Sequence, residues 1–186
     1  MRKARAQGYR SRATFKLIEV NSRERLLIPG ARVADLGAAP GGWSQVAAEK
    51  VGPRGKVVAI DLLEIAPLQG VTVLRGDFRE PAMQAAVAAA VDGGFDVVLS
   101  DLSPNLSGIA SADQARAAEL VRDALAFARA HLRPDGAFLV KVFQGAEFED
   151  VLLDVKGGFG TVRVIKPAAS RDASRETYLL ARRPKR

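Results

Sequence analysis

Apolar residues along this chain follow two rhythms. Short, nearly continuous aliphatic runs occur at Arg32–Leu36, Lys56–Asp61, Val71–Leu74, Phe95–Ser100 and Ala137–Phe143, as in strands buried on both faces. Longer segments between them repeat apolar positions at helical spacing. The clearest is Ser111–Leu132, with Ala117, Leu120, Val121, Ala124, Leu125 and Ala128 along one stripe. Further helices are predicted from a Ser11 cap to about Leu26, and over about 42–51, 81–91 and 147–156. Pro29-Gly30, Gly52-Pro53-Arg54-Gly55 and Pro134-Asp135-Gly136 read as breaks, the last stopping the long helix. Two final strands, near Thr161–Ile165 and Thr177–Ala181, have no helix between them and are predicted to pair antiparallel at one end. The pattern is that of an α/β protein: a mostly parallel seven-stranded sheet with an antiparallel last strand and helices on both faces.

Composition narrows the function. The 186 residues, 48% of them hydrophobic, suit one domain over 1–186. There is no cysteine and one histidine, His131, so disulfides, thiolate metal sites and histidine-based metal sites are not expected, and no metal is assigned. His131 itself closes the long helix, where a cation suits the dipole. No run of about 18 apolar residues occurs, and the basic N-terminus lacks the apolar stretch of a signal peptide. A soluble cytoplasmic protein, monomeric by default, is expected.

The net charge of +7 is unevenly spread. Residues 1–25 carry eight Lys/Arg against two Glu, and residues 163–186 eight against two acids, while the stretch between them is net acidic. A basic excess at both ends points to a polyanion, RNA in particular. The candidate RNA contacts are Arg2, Lys3, Arg5, Arg10, Arg12 and Lys16 on a basic N-terminal helical segment (1–28), with Lys166, Arg171 and Arg175 across a cleft. Tyr9 and Phe15 are candidates for base stacking, Phe15 with a competing role in the core.

Open α/β sheets bind ligands beyond the carboxyl ends of their strands. Four such ends carry chemistry here. The first is Asp35-Leu36-Gly37-Ala38-Ala39-Pro40-Gly41-Gly42-Trp43, where small residues allow close backbone approach and a helix begins with free N–H groups. The second is Asp61, an acceptor for ribose hydroxyls. The third is Gly76-Asp77-Phe78, placed for an adenine edge. The fourth is Ser100-Asp101. An adenosyl ligand with a free amino-acid end, S-adenosyl-L-methionine, accounts for the set. The cofactor candidates are Asp35, Gly37, Pro40, Gly41, Gly42, Trp43, Asp61, Asp77, Phe78 and Asp101. Seven strands with that ending match the Rossmann-like methyltransferase arrangement better than a dinucleotide-binding dehydrogenase. The loop also lacks the G-x-G-x-x-G spacing of a nicotinamide enzyme.

The stretches GYRSRATFKLIE, DLGAAPGGWSQVA, GDFRE, SDLSPNLSG, LVKVFQG and SRETY, spread from about Gly8 to Leu180, resemble the FtsJ/RrmJ family of ribosomal RNA ribose 2′-O-methyltransferases. The resemblance implies a catalytic tetrad at Lys16, Asp101, Lys141 and Glu176 and cofactor contacts at Gly41, Trp43, Asp61, Asp77 and Asp101. It also implies a uridine of large-subunit ribosomal RNA as target, in the assembled subunit. Family members usually carry more residues ahead of the GYRSRA-like segment than the seven found here. A ribose hydroxyl is a poor nucleophile near neutral pH, so catalysis needs alignment and a proton acceptor. Lys141 is the candidate base; alternatively it steers the hydroxyl while water takes the proton. The competing functions are 2′-O-methylation of transfer RNA and a non-catalytic RNA-binding ribosome assembly factor.

Overall fold

The computed structural model describes residues 4, 6–105, 107–169 and 174–185. Arg2, Lys3, Arg5 and Arg171, four of the RNA candidates, lie outside the described residues. Five helices are used below: α1 (Thr14–Glu24), α2 (Gly42–Val51), α3 (Pro81–Ala89), α4 (Ala110–His131) and α5 (Phe148–Gly158). The strands are β1 (Arg32–Leu36), β2 (Lys56–Asp61), β3 (Val71–Arg75), β4 (Phe95–Ser100), β5 (Leu132–Phe143), β6 (Phe159–Ile165) and β7 (Glu176–Pro184). They form a seven-stranded sheet in the order β3-β2-β1-β4-β5-β7-β6. The first five strands run parallel, and β7 inserts antiparallel between β5 and β6.

Alternation along the strands divides the core into two layers. Ala34, Leu36, Val98, Phe138, Val140, Leu179 and Ala181 face α3, α4 and α5. Their neighbours Val33, Val97, Leu99, Ala137, Leu139, Tyr178 and Leu180 pack under α1 and α2, with Leu17, Val20, Trp43, Val46 and Ala47. The same period of two fixes the polar positions that matter. Asp35 shares a face with Val33, Lys141 with Leu139, and Glu176 with Tyr178. All three therefore belong to the α1 and α2 side, at the carboxyl end of the parallel strands.

Three local expectations are corrected. Helix α1 starts later than predicted: Ala13, not Ser11, is its N-cap, without a side-chain cap. Pro134-Asp135-Gly136 was expected to separate helix from strand. Instead α4 ends at His131 and β5 begins at once, Leu132 pairing with Phe95 while Ala137 pairs with Val97. The intervening residues form an irregularity within the strand, which absorbs the proline that a regular ladder excludes. Finally, His131 is half-buried with its ring 4.5 Å from Phe127. Burial pushes its pKa down, away from the helix-end cation that its position implied.

Candidate active site

The loop after β1 can press against the loop after β4 only because Gly37 lacks a side chain. Its φ is +73°, and a Cβ there would stand 2.3 Å from Leu102 Cδ2. That approach gathers three carboxylates. Asp35 is fully buried beneath the loop; its Oδ2 accepts a 2.6 Å hydrogen bond from Ser44 Oγ, and its Oδ1 has no hydrogen-bond partner among the described residues. Burial, opposed by the Ser44 hydrogen bond and aided by the negative charges of Asp101 and Asp61, raises its pKa to about 7. Asp61 accepts the Ala39 N–H at 2.9 Å and the Leu63 N–H at 2.8 Å. An orphaned buried carboxylate oxygen among acids that repel one another fits a ligand bringing positive charge. The close-packed glycine loop fits one that needs backbone contact.

A cleft of about 670 Å³ opens above this loop. Gly37, Asp61, Asp77, Phe78 and Asp101, all nominated from sequence, line it, together with Leu62, Leu63, Ser103, Asn105 and residues of α4 such as Arg116 and Leu120. Asp77 is clamped by Arg79, whose Nε lies 2.9 Å from Oδ1 and whose Nη2 lies 2.6 Å from Oδ2. The Arg79 hydrogen bond holds the Asp77 carboxyl below the usual range against the opposing effect of burial. Asp35, Pro40, Gly41, Gly42 and Trp43 are not on the cleft wall. Gly41, with φ +99°, turns the chain into α2. Trp43 is buried, donates its indole N–H to the Ala13 carbonyl at 2.9 Å, and lies 5.6 Å from the Tyr178 ring. The structure places its side chain in the core under α1.

Beside Asp101 and Ser103 of the cleft wall, charged side chains from separate elements converge. β5 and β7 set Lys141 directly opposite Tyr178, and Phe143 opposite Glu176. Lys141 is 6% exposed, and its ammonium meets three acceptors: the Asp101 carbonyl at 2.8 Å, Ser103 Oγ at 2.5 Å and Asp101 Oδ1 at 3.3 Å. Lys16, reaching down from α1, pairs with Glu176 at 2.5 Å. Burial favours the protonated Glu176 carboxyl, but the hydrogen bond and charge of Lys16, then the charge of Lys141, outweigh it and hold its pKa below the usual value. Tyr178 joins the two pairs. Its hydroxyl donates to Asp101 Oδ1 at 3.1 Å, and Lys16 Nζ lies 5.9 Å from its ring centroid. Burial first, then the Asp101 and Glu176 charges, push its pKa far above the ordinary phenol value. All four tetrad positions thus come together. Tyr178, Ser103 and Ser44 are the partners that sequence reasoning missed.

The basic candidates separate into two kinds. Arg10 faces inward: its guanidinium donates to the carbonyls of Pro40 (3.3 Å), Ala66 (2.6 Å) and Pro67 (2.8 Å), while its backbone N–H meets Gln45 Oε1 at 3.4 Å. This clasp holds the N-terminal segment to the ligand loop and occupies the Arg10 donors with protein carbonyls. Arg12, Lys166 and Arg175 are exposed, Lys166 donating only to the Ser174 carbonyl at 2.9 Å among its recorded hydrogen bonds. Glu19 accepts the Ala168 and Ala169 N–H groups at 3.0 Å each, joining α1 to the β6–β7 loop that carries Lys166.

Comparison with known proteins places this arrangement. The model of the FtsJ-like methyltransferases matches residues 9–184. The chain belongs to that family. It is 53% identical over 185 residues to the ribosomal RNA large subunit methyltransferase E of Thiobacillus denitrificans, covering 99% of this chain and 84% of that one. The corresponding protein of Nitrosomonas europaea is 52% identical over 97% of this chain and 88% of its own length. Among solved structures, a protein described as a ribosomal RNA methyltransferase from Plasmodium falciparum superposes with a TM-score of 0.85 at 27% identity, covering 95% of this chain and 98% of that one. Aeropyrum pernix fibrillarin, solved with natively bound S-adenosyl-L-methionine, shares the fold at a TM-score of 0.63 and 19% identity, over 93% of this chain and 75% of its own. The sheet is that of the Rossmann-like methyltransferases. Among the described residues, no helix is long and apolar enough to cross a membrane and no group of three or more His, Cys, Asp or Glu could hold a metal ion.

Proposed function

We propose that this chain, acting as one methyltransferase domain, transfers a methyl group from S-adenosylmethionine to a ribose 2′-hydroxyl of RNA, and that the target is a uridine of large-subunit ribosomal RNA. The observation that carries the reading is the meeting of Lys16, Asp101, Lys141 and Glu176 around Tyr178, with Asp101 on the wall of an acid-lined cleft. The relatives named as large-subunit ribosomal RNA methyltransferases support the choice of substrate.

S-adenosylmethionine supplies a methyl group already activated by the positive charge on its sulfur. The chain has to bind that cation, admit a nucleotide and take one proton. Asp61 and Asp101 on the cleft wall, with Asp35 buried beneath it, complement the charge, and the loop at Gly37 and Ala39 accommodates the amino-acid end. Asp61 and Asp77 stand where an adenosine would be read. Lys141 takes the hydroxyl proton; Asp101, held by Tyr178, fixes the direction of the amine. Lys16 and Glu176, paired beside Tyr178, orient the ribose. Arg12, Lys166 and Arg175, all exposed, offer phosphate contacts.

The test is methyl transfer from labelled S-adenosylmethionine to large ribosomal subunits that lack the modification. The parent should incorporate label and Lys141→Ala should lose at least about 100-fold, the usual worth of a general base. Undiminished transfer by the variant would remove Lys141 from the chemistry.

A further inference from the structure

The buried amine of Lys141 has three donors when charged, and it has three acceptors to meet them: the Asp101 carbonyl, the Asp101 carboxylate and Ser103 Oγ. This arrangement suits the ammonium form. To accept a proton from a ribose hydroxyl, the nitrogen must instead present a lone pair. Of the three recorded partners, the two on Asp101 can only accept hydrogen bonds. Ser103 can reverse, because a hydroxyl both accepts and donates. Its oxygen, 2.5 Å from Nζ, lines the cleft. Ser103 therefore holds, relative to the amine, the kind of position that an attacking hydroxyl must take. Ser103 is also exposed, so a proton received there has a route to water.

We propose that Ser103 is a positioning residue for Lys141, its hydroxyl switching from acceptor to donor and passing the proton from the amine to solvent. The inference rests on the ribose methyltransferase reading above. Before reaction, the Ser103 O–H donates to the neutral nitrogen and keeps its lone pair aimed into the cleft. The incoming ribose hydroxyl displaces it and donates at the same lone pair. A bond then forms between the ribose oxygen and the methyl carbon, the carbon–sulfur bond breaks with its electron pair retained by sulfur, and the hydroxyl proton ends on Nζ. Ser103, turned back to an acceptor, takes a proton from the ammonium and releases its own to water, which restores the amine.

The experiment compares Ser103→Ala, Ser103→Thr and Lys141→Ala in the full chain, with large subunits lacking the modification as substrate. Circular dichroism and calorimetric S-adenosylmethionine binding check that each variant is folded. Ser103→Ala should lower kcat on the order of tenfold, the worth of one hydrogen bond to a charged group, with KM for both substrates unchanged. Threonine, which keeps the hydroxyl, should restore kcat to within about twofold. A parental kcat in Ser103→Ala alongside an inactive Lys141→Ala would overturn the Ser103 role alone, as would equal loss in the alanine and threonine variants. A fully active Lys141→Ala would instead overturn the reading on which the role depends.

Discussion

Asp35 offers a test of whether the site is built for a cation. Its pKa lies at 3.8 unperturbed and about 7 in the folded chain. Below pH 3.8 both states are protonated and nothing is lost. As the pH climbs toward 7 the unfolded chain releases its proton while the buried carboxyl keeps it, so stability falls with rising pH. At about 1.4 kcal/mol per pH unit the loss reaches about 4 kcal/mol above pH 7. Asp35→Asn cannot ionise and is free of this fall. The oxygen of the new amide keeps the Ser44 hydrogen bond, while its NH₂ takes the place of the orphaned Oδ1, where an unmet donor costs about 1–3 kcal/mol. The two variants should therefore be nearly matched at pH 5, with Asp35→Asn the more stable by about 1–3 kcal/mol at pH 8. Urea unfolding followed by the fluorescence of Trp43, the chain's one tryptophan, measures this across pH 5–8.5. A stability difference that stays constant with pH would refute the argument. The same variant should lose S-adenosylmethionine affinity in calorimetry, because the buried negative charge beneath the ligand loop is gone.

Two further perturbations separate the parts of the site. Gly37→Ala places a methyl against Leu102 in a backbone region that side chains rarely adopt, and should cost about 1–3 kcal/mol in urea unfolding along with cofactor binding; a parental midpoint with normal calorimetry would show that the two loops are not in contact. Arg10→Ala should reduce cofactor affinity and leave the salt dependence of RNA binding unchanged, whereas Arg12→Ala should reduce the slope of log affinity against log salt by roughly one; the reverse pattern in filter binding would return Arg10 to the RNA surface.

The strands and helices were legible because burial imposes a period on the sequence. Val33, Ala34 and Leu36, or Phe138, Leu139 and Val140, can be aliphatic on both faces only inside a covered sheet. The four acids at strand ends were legible for a related reason, since topology sends strand ends to one rim. What escaped was anything depending on a contact between distant residues. Ser103 and Lys141 are 38 residues apart and Tyr178 and Asp101 are 77 apart, with no spacing that announces either pair. Tyr178 did leave one signal: a tyrosine on the inward face of a strand needs a partner for its hydroxyl. Arg10 and Trp43 make contacts that no sequence spacing announces. A basic residue in a basic segment looks like a nucleic-acid contact until its carbonyl partners are seen, and a tryptophan beside a ligand loop can point into the core. Pro134-Asp135-Gly136 lies beyond the end of the helix, inside β5, because a sheet can carry such residues as an irregularity in a continuing strand.

The position of the transferred methyl group decides the central claim. Large subunits lacking the modification should be methylated with labelled S-adenosylmethionine, and the RNA then hydrolysed to completion in alkali. A methyl on the ribose oxygen removes the nucleophile of alkaline cleavage, so all the label should appear in an uncleaved dinucleotide whose 5′ member is a uridine. Label released in single nucleotides, with the methyl on a base, would contradict the assignment of Lys141 and its neighbours to a ribose hydroxyl.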